Sequence, residues 1–542
     1  MPGFNLADLF ERVVDAAPDR EVIVSPARRL TFRELDDRAN ALAAVLTDLG
    51  VKAGDHIGLQ LLNGSEYIEG MLAAFKLSVV PVNVNFRYVE GELRHLYTDA
   101  DLVAVIHHRQ FGTRVAAAAD GADLLEHLIS VEDGSGAEQA PHAVDYDSAL
   151  AAASTARPDG TNRSGDDRYI AYTGGTTGLP KGVVWRQEDI FFAAMGGGDP
   201  FQMGNFLTTP EEIVERIPET GGTILTTPPL MHVSAQWGVF HSMFAAGRIV
   251  FPPHGAFDPD AIWSLVASEG VNILTIVGDA MAQPLADAIE RASAAGKPYD
   301  VSSLIVIGSG GAVLSTTAKS RLATLIPTIM VVDGFGSSET GVVGSKLHSA
   351  DDTSTAPRFM VNAQTNVLAE DGTPVVPGSG QVGRLARKGH VPLGYYKDEA
   401  KTKATFLEVG GERWVLPGDN ATVDEDGTVV LLGRGSTSIN TGGEKVYPEE
   451  VETALMTSPD VGDVIVVGLP DEKWGQRVVA VVQPAADAAP DLDALREHAR
   501  SSLAGYKLPR ELIVVDKVER TPAGKADYKW AKATAEARST QS

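Results

Sequence analysis

Short runs of β-branched and apolar residues alternate with amphipathic stretches along the first third of this chain, and that alternation limits its fold more than any other feature. EVIV at 21–24 is followed by a helical pattern that opens on a capping box, Thr31 and Glu34 in TFRE, and continues through LDDRANALAAVLTDLG. HIGLQLL, the helical SEYIEGMLAAFKLS, VVPVNV, the helical EGELRHLYTDA and LVAVIHH come next. This order predicts parallel strands joined by crossover helices. It returns after residue 220 in ILTTPP, the helical QWGVFHSMFAAG, ILTIVG, LIVIGSGG and IMVVDGFG, with helices such as DPDAIWSLVASEG between them. Several of these strands end in glycine clusters, and α/β sheets bind ligands at the carboxyl ends of their strands.

From about Ala363 the pattern changes to strands and turns (EDGTPVVPGSGQVGRLA, DEDGTVVLLGR), which predicts a small β-rich subdomain. Past Arg434 a separate unit begins, with helix PEEVETALMTS, strands DVIVVGL and RVVAVVQP, and helix LDALREHARSSLA. The expected fold class is α/β: a large N-terminal domain of parallel-type sheets plus the β-rich subdomain over 1–434, then a small α+β C-terminal domain over 435–542. A chain of 542 residues can support this, since one core rarely grows past about 250–300 residues.

Charge and composition exclude several functions. A formal net charge of −26, with no run of lysines or arginines, repels nucleic acid and anionic lipid headgroups. The absence of cysteine rules out disulfides, thiolate zinc sites and thiol nucleophiles, and suits a reducing, cytoplasmic setting. The N-terminal MPGFNLADLFERVVDAAPDR carries acids among its apolar positions, which predicts an amphipathic helix and no export signal. Residues 220–247 lack Asp, Glu, Lys and Arg, yet Pro228, Pro229 and the glycines interrupt them, whereas a membrane span needs roughly 20 mainly apolar residues in a row. A buried wall is expected there and no transmembrane segment; assembly as a homodimer stays open.

The stretch AYTGGTTGLPKGVVW at 171–185 follows the β-type run RYIAYT. It offers backbone N–H groups at Gly174, Gly175 and Gly178, hydroxyls at Thr173, Thr176 and Thr177, and the point charge of Lys181. Such a set of donors suits phosphate oxygens. A Walker loop needs glycine before its lysine and Ser or Thr after it, whereas here Pro180 precedes Lys181 and Gly182 follows. A glycine-rich turn without a ligand is the plain alternative.

TGGTTGLPKG resembles the signature loop of the adenylate-forming superfamily, which includes acyl-CoA synthetases, peptide-synthetase adenylation domains and luciferases. Further motifs similar to those of the family follow in order: PLMHVSAQW, GSGGAVL, DGFGSSETG, LPGDNA, LLGRG, NTGGEKVYPEEVE and TPAGKAD. The resemblance implies a two-step reaction with ATP, Mg2+ and coenzyme A. A carboxylate displaces pyrophosphate from ATP to give an acyl-adenylate, and the thiol of coenzyme A then displaces AMP.

The resemblance also implies roles. Lys525 would reach both carboxylate and phosphate, with a surface lysine near the chain end as the alternative. Glu339 is where the family holds Mg2+, and Ser338 would touch a phosphate oxygen. Phe335 stands where the family stacks adenine, among Gly310, Gly311, Ala312, Asp333, Gly334, Gly336 and Ser337. Asp419 would accept the ribose hydroxyls beside Arg434, although an aspartate after Pro-Gly is also common in plain turns. His232 and Trp237 belong to the mouth of the acyl pocket, with Gly308 and Gly310 as a wall that leaves room for a bulky group. Gly442, Gly443 and Lys445 lie on the thiol-side loop.

In the family the C-terminal domain is mobile, rotating to present first the late lysine and then this loop. The hinge departs from the usual pattern, having Ser436 and Thr437 where relatives carry Asp or Lys. No aspartate stands near PLMHVSAQW to pair with an amino acid's ammonium, and only a short tail follows Lys525, so a free apolar acid is expected rather than a carrier-bound amino acid. GVVWRQEDIFFAAMGGGD and the extra PFQMGNFLTTPEEIVERIPE resemble actinobacterial fatty-acid and steroid-side-chain CoA ligases. A ligase for aromatic or short-chain acids and a non-catalytic nucleotide-binding regulator are the alternatives.

Overall fold

The structure, a computed structural model, describes residues 3–539 apart from 161, 175–179, 200–203, 312–313, 315, 349–357, 435–438, 447, 487 and 520–525. The predicted alternation is realised as two large sheets. In the first, parallel strands stand in the spatial order Glu21–Val24, Arg248–Val250, Thr223–Thr226, Ile273–Ile276, Val306–Ser309 and Met330–Ser337. The second runs Pro180–Arg186, Arg168–Gly174, Val80–Asn83, His56–Gln60, Leu102–His108 and His127–Val131, with all but the first pair parallel.

Local signals start the helices. Asn5 accepts the amides of Ala7 and Asp8 to cap Leu6–Ala16, and the Thr31–Glu34 box caps Phe32–Asp48. The apolar faces of these helices, with Ser65–Lys76 and Val233–Phe244, fill the main core around Phe75, Tyr169, Trp185 and Phe240. The uncharged stretch at 220–247 is therefore a strand followed by a buried helix, as its composition suggests. No helix among the described residues is long and apolar enough to cross a membrane.

The β-rich subdomain forms, but it is continuous with the first sheet. Arg358 pairs with Val430, and the antiparallel run passes on through Asp419–Val423 and Gly383–Lys388. From Ile439 onward the strands build a third sheet of their own, faced by Pro448–Met456, Leu492–Ala499 and Tyr528–Ser539.

Beneath the main core, the buried Lys76 lies 2.5 Å from Glu11 Oε1 and 2.7 Å from Asp36 Oδ1. Burial alone would raise the Asp36 pKa, yet Lys76 and Arg157 outweigh it and hold the carboxyl below its ordinary range. Lys76→Met removes a buried cation shared by both carboxylates but leaves Asp36 with Arg157 and Glu11 with Arg163, so it should cost about 2 kcal/mol of unfolding free energy, read by chemical denaturation.

Candidate active site

The glycine- and threonine-rich loop is the tip of an antiparallel hairpin: Thr173 pairs with Lys181 and Gly174 with Pro180. Gly175, Thr176, Thr177 and Gly178 lie outside the described residues. Lys181 thus begins a strand, where a Walker lysine would begin a helix, so no helix dipole assists it. Its ammonium is ion-paired with Asp398, which also caps Glu399–Thr405. The hydrogen bond from Lys181 is the main reason the Asp398 carboxyl sits below its ordinary pKa.

A cavity of about 440 Å3 opens at the carboxyl ends of the strands of both sheets, within the range expected for a small-molecule site. Thr173 lines it beside Gly310, Gly311, Gly334, Phe335, Gly336, Ser337 and Ser338. Met231, His232, Trp237 and Gly238 line it too, as do Gly443, Glu444 and Lys445.

Two asparagines at the ends of neighbouring parallel strands hold these walls together. Asn83 Nδ2 donates to the carbonyls of Tyr172 and Met231, at 2.8 and 2.7 Å, while the Tyr172 amide donates to Asn83 Oδ1 at 2.7 Å. The stem of the phosphate-type hairpin is thereby tied to the loop that delivers His232. Asn63 grips the same loop through the Pro228 carbonyl and the Leu230 amide, at 2.9 and 2.7 Å.

Glu339 sits in the turn between Met330–Ser337 and Gly341–Leu347, buried, with its Oε1 accepting from Tyr395 Oη at 2.8 Å. Trp185 Nε1 donates to the Ser338 carbonyl at 3.0 Å, and the buried Arg387 donates to the carbonyls of Thr340 and Val342. Burial pushes the Arg387 guanidinium down to about 10. Gly341 is required here: its φ is +67° and a Cβ would stand 2.7 Å from the Ala193 carbonyl oxygen. The Phe335 ring packs 5.1 Å from that of Phe359.

Several residues grouped with the site by sequence lie off the cavity wall. Gly308 is inside the strand Val306–Ser309, two positions short of the lining Gly310. Asp333 is bound by Lys319 Nζ at 2.6 Å, and Lys181 is held by Asp398. Asp419 is buried opposite Arg434 in the strand register and is not among the lining residues. Gly442 packs against Trp474, whose ring carbon Cε3 lies 2.8 Å from the place of a Cβ. Lys525 and Ala312 are outside the described residues.

The C-terminal unit reaches the cavity through its glycine turn. Gly443, at φ +83°, lies so close to Val277 that a Cβ would stand 2.5 Å from its Cγ1. Glu444, buried, accepts from Arg87 Nη1 at 2.5 Å and lies 3.1 Å from His232 Nε2. Burial would raise its pKa, but His232, Arg87 and Lys507 outweigh that and hold it below the ordinary value of 4.5. Strand alternation divides this unit into two faces. Ile439 and Val446, flanking the glycine turn, pack with Val464, Val466 and Val478, while Ala526, next to Lys525, packs with Ile465, Val467 and Val479. What this unit brings to the cavity is the glycine turn, Gly443 to Lys445, with Tyr506 and Lys507.

Sequence reasoning did not single out Asn83, Asn63, Arg87, Tyr395, Arg387 or Asp398. For the two asparagines a signal existed, since Asn83 lies near the end of the predicted strand VVPVNV and Asn63 directly follows HIGLQLL, where ligand sites form.

Comparison with known proteins shows the family. Residues 10–396 match the model of the AMP-binding enzyme family, and residues 450–525 match the AMP-binding enzyme C-terminal domain. The chain belongs to the AMP-binding enzyme family, within the adenylate-forming superfamily. It is 45% identical over 534 residues to 3-oxocholest-4-en-26-oate–CoA ligase of Rhodococcus rhodochrous, covering 98% of this chain and 96% of that one. It is 44% identical over 539 residues to the medium/long-chain-fatty-acid–CoA/3-oxocholest-4-en-26-oate–CoA ligase of Mycolicibacterium smegmatis, covering 99% and 97%. Among solved structures, amide bond synthetase McbA from Marinactinospora thermotolerans shares the fold, with a TM-score of 0.78 at 22% identity over 97% of this chain and 99% of that one. Within the family the chain is an AMP-forming acyl-CoA ligase, using ATP, Mg2+ and coenzyme A.

If Arg87 and His232 dominate the surroundings of Glu444, its carboxylate stays charged through pH 4.5 and its contacts fail only as pH falls further. A carboxyl-carbon NMR titration should place its midpoint below that of a free glutamate; a raised midpoint would mean burial prevails.

Proposed function

We propose that this ligase activates an apolar carboxylic acid of the fatty or steroid-side-chain type. The observation that carries the reading is that Met231, Trp237 and Gly238, joined by Ile224 and Val277, line one cavity together with Thr173. These residues offer an acyl chain apolar surface, and the carboxylate that lines the same cavity, Glu444, is engaged by Arg87 and His232. Close relatives are named for fatty and steroid-side-chain acids, which supports the same class here.

One carboxylate oxygen attacks the α-phosphorus of ATP, the bond to the bridging oxygen breaks and pyrophosphate leaves. The coenzyme A sulfur then attacks the acyl carbon, losing its proton, and AMP departs. Negative charge grows on phosphate oxygens in the first step, so fixed donors aimed at them lower its barrier. Thr173, Ser338 and the hairpin amides supply such donors, Lys525 bridges acid and phosphate, and Lys181 adds charge on leaving Asp398. Glu339, oriented by Tyr395, together with phosphate oxygens, would hold Mg2+, which neutralises charge on the departing pyrophosphate. A single buried carboxylate fits an ion completed by the nucleotide: among the described residues no three His, Cys, Asp or Glu side chains are grouped to hold a metal alone. Phe335 offers its ring to adenine, and Asp419 with Arg434 the ribose contacts.

Gly442, Gly443 and Lys445 guide the thiol in the second step, with the mobile unit beginning at residue 435. The absence of cysteine supports a cytoplasmic setting, and a homodimer remains the assembly to examine by light scattering.

A Cβ built on Gly238 meets nothing within 4 Å, so the cavity is open at that point of its wall. Thioester formation from a panel of fatty, steroidal, aromatic and short acids should favour the first two. Gly238→Phe should cut kcat/KM for them by roughly a hundredfold while sparing a short acid. Preference for aromatic acids, or equal loss across the panel, would contradict the assignment.

A further inference from the structure

Besides the Glu444–His232 contact, three polar contacts between the C-terminal unit and the rest of the chain fall on one short segment, residues 85–92. It runs from the end of strand Val80–Asn83 into the first turn of helix Glu90–Asp99. Asn85 Nδ2 donates to Tyr506 Oη at 3.4 Å, Arg87 Nη1 to Glu444 Oε1 at 2.5 Å, and Lys507 Nζ to Glu92 Oε1 at 2.7 Å. The last pair differs from the others in its burial. The two side chains are 415 residues apart and only 3% and 8% exposed, with the Lys507 ammonium 4.9 Å from the centre of the Tyr88 ring.

Burying opposite charges together returns little net stability, because desolvation offsets their attraction, but leaving one of them buried alone is severely unfavourable. Such a pair therefore acts on orientation more than on affinity. When the C-terminal unit turns away, both groups regain water and neither is penalised. When it docks, the contact forms only if the ammonium arrives at the carboxylate. Glu92 is already fixed before that, since its other oxygen accepts from the Val89 amide at 3.0 Å and closes the first helical turn.

We propose that Glu92 and Lys507 form a latch selecting the orientation in which Gly443 and Glu444 enter the cavity, and that Glu92 is a positioning residue for the thioester-forming half of the reaction alone. Lys507 lines the cavity and Glu92 does not, so the charge is removed at Glu92 to test the latch. Lys507 stands beside Tyr506 and also draws on Glu444, so seating it aligns the glycine turn with His232 and Arg87. This inference rests on the ligase reading, with its two separable halves.

The test compares acid-dependent exchange of pyrophosphate into ATP with coenzyme A thioester formation from supplied acyl-adenylate. Glu92→Gln keeps the shape and an oxygen for the Val89 amide while removing the charge. It should slow thioester formation roughly tenfold or more and leave exchange within about twofold of native. Combining Glu92→Lys with Lys507→Glu, or Glu92→Leu with Lys507→Met, should recover most of the lost thioester rate, a rescue that a merely structural role would not give. An unchanged thioester rate, an equal fall in both halves, or failure of both paired replacements to recover would overturn the latch. A native protein that performs neither half with any acid would overturn the ligase reading itself, and the latch with it.

Discussion

Three hydrogen bonds from one buried amide keep the two halves of the cavity in register. Asn83 holds the backbone of Tyr172, one residue before the lining Thr173, and the carbonyl of Met231, one residue before His232. The hairpin stem that ends in Thr173 and the loop that carries His232 come from different sheets, and their separation must be set to within a fraction of an ångström for in-line attack. A side-chain amide can do this because it donates and accepts at once and, when buried, cannot trade these partners for water. Asn63 repeats the device one strand away.

Electrostatics pose a second constraint, since a chain with net charge −26 must receive a triphosphate and a carboxylate. Its answer is local: donors converge at strand ends while most basic side chains are engaged elsewhere. Lys181 illustrates the balance, being charged and next to the hairpin yet paired with Asp398 in this arrangement. Arg387 is buried without a carboxylate and serves the carbonyls around Gly341, stiffening the turn that presents Glu339. Glu444 lines the same cavity, a carboxylate that burial would push up but that His232, Arg87 and Lys507, from three separate parts of the chain, hold below its ordinary pKa.

Much of the fold was legible because its signals are local. The Thr31–Glu34 box and the strand–helix alternation each declare themselves within a few residues. Fusion of the β-rich subdomain to the large sheet was not, because it depends on Arg358–Val361 meeting a strand far along the chain, and nothing local encodes that register. The glycine-rich walls of the site were legible through their motifs, but which glycines face the cavity was not. Gly308 and Gly310 differ only in where the strand ends. Asn83, Tyr395 and Glu92 are common residue types whose functions arise from tertiary approach. Asp398 likewise gives no sequence sign that it will meet Lys181.

The central claim is that the acid's carboxylate attacks the α-phosphorus of ATP in this cavity. The most direct measurement supplies a fatty acid labelled with 18O in its carboxyl group, together with ATP, Mg2+ and coenzyme A, and follows the label by mass spectrometry. The account predicts one labelled oxygen in the AMP released and none in pyrophosphate. Label in inorganic phosphate, or AMP free of it while thioester accumulates, would contradict it.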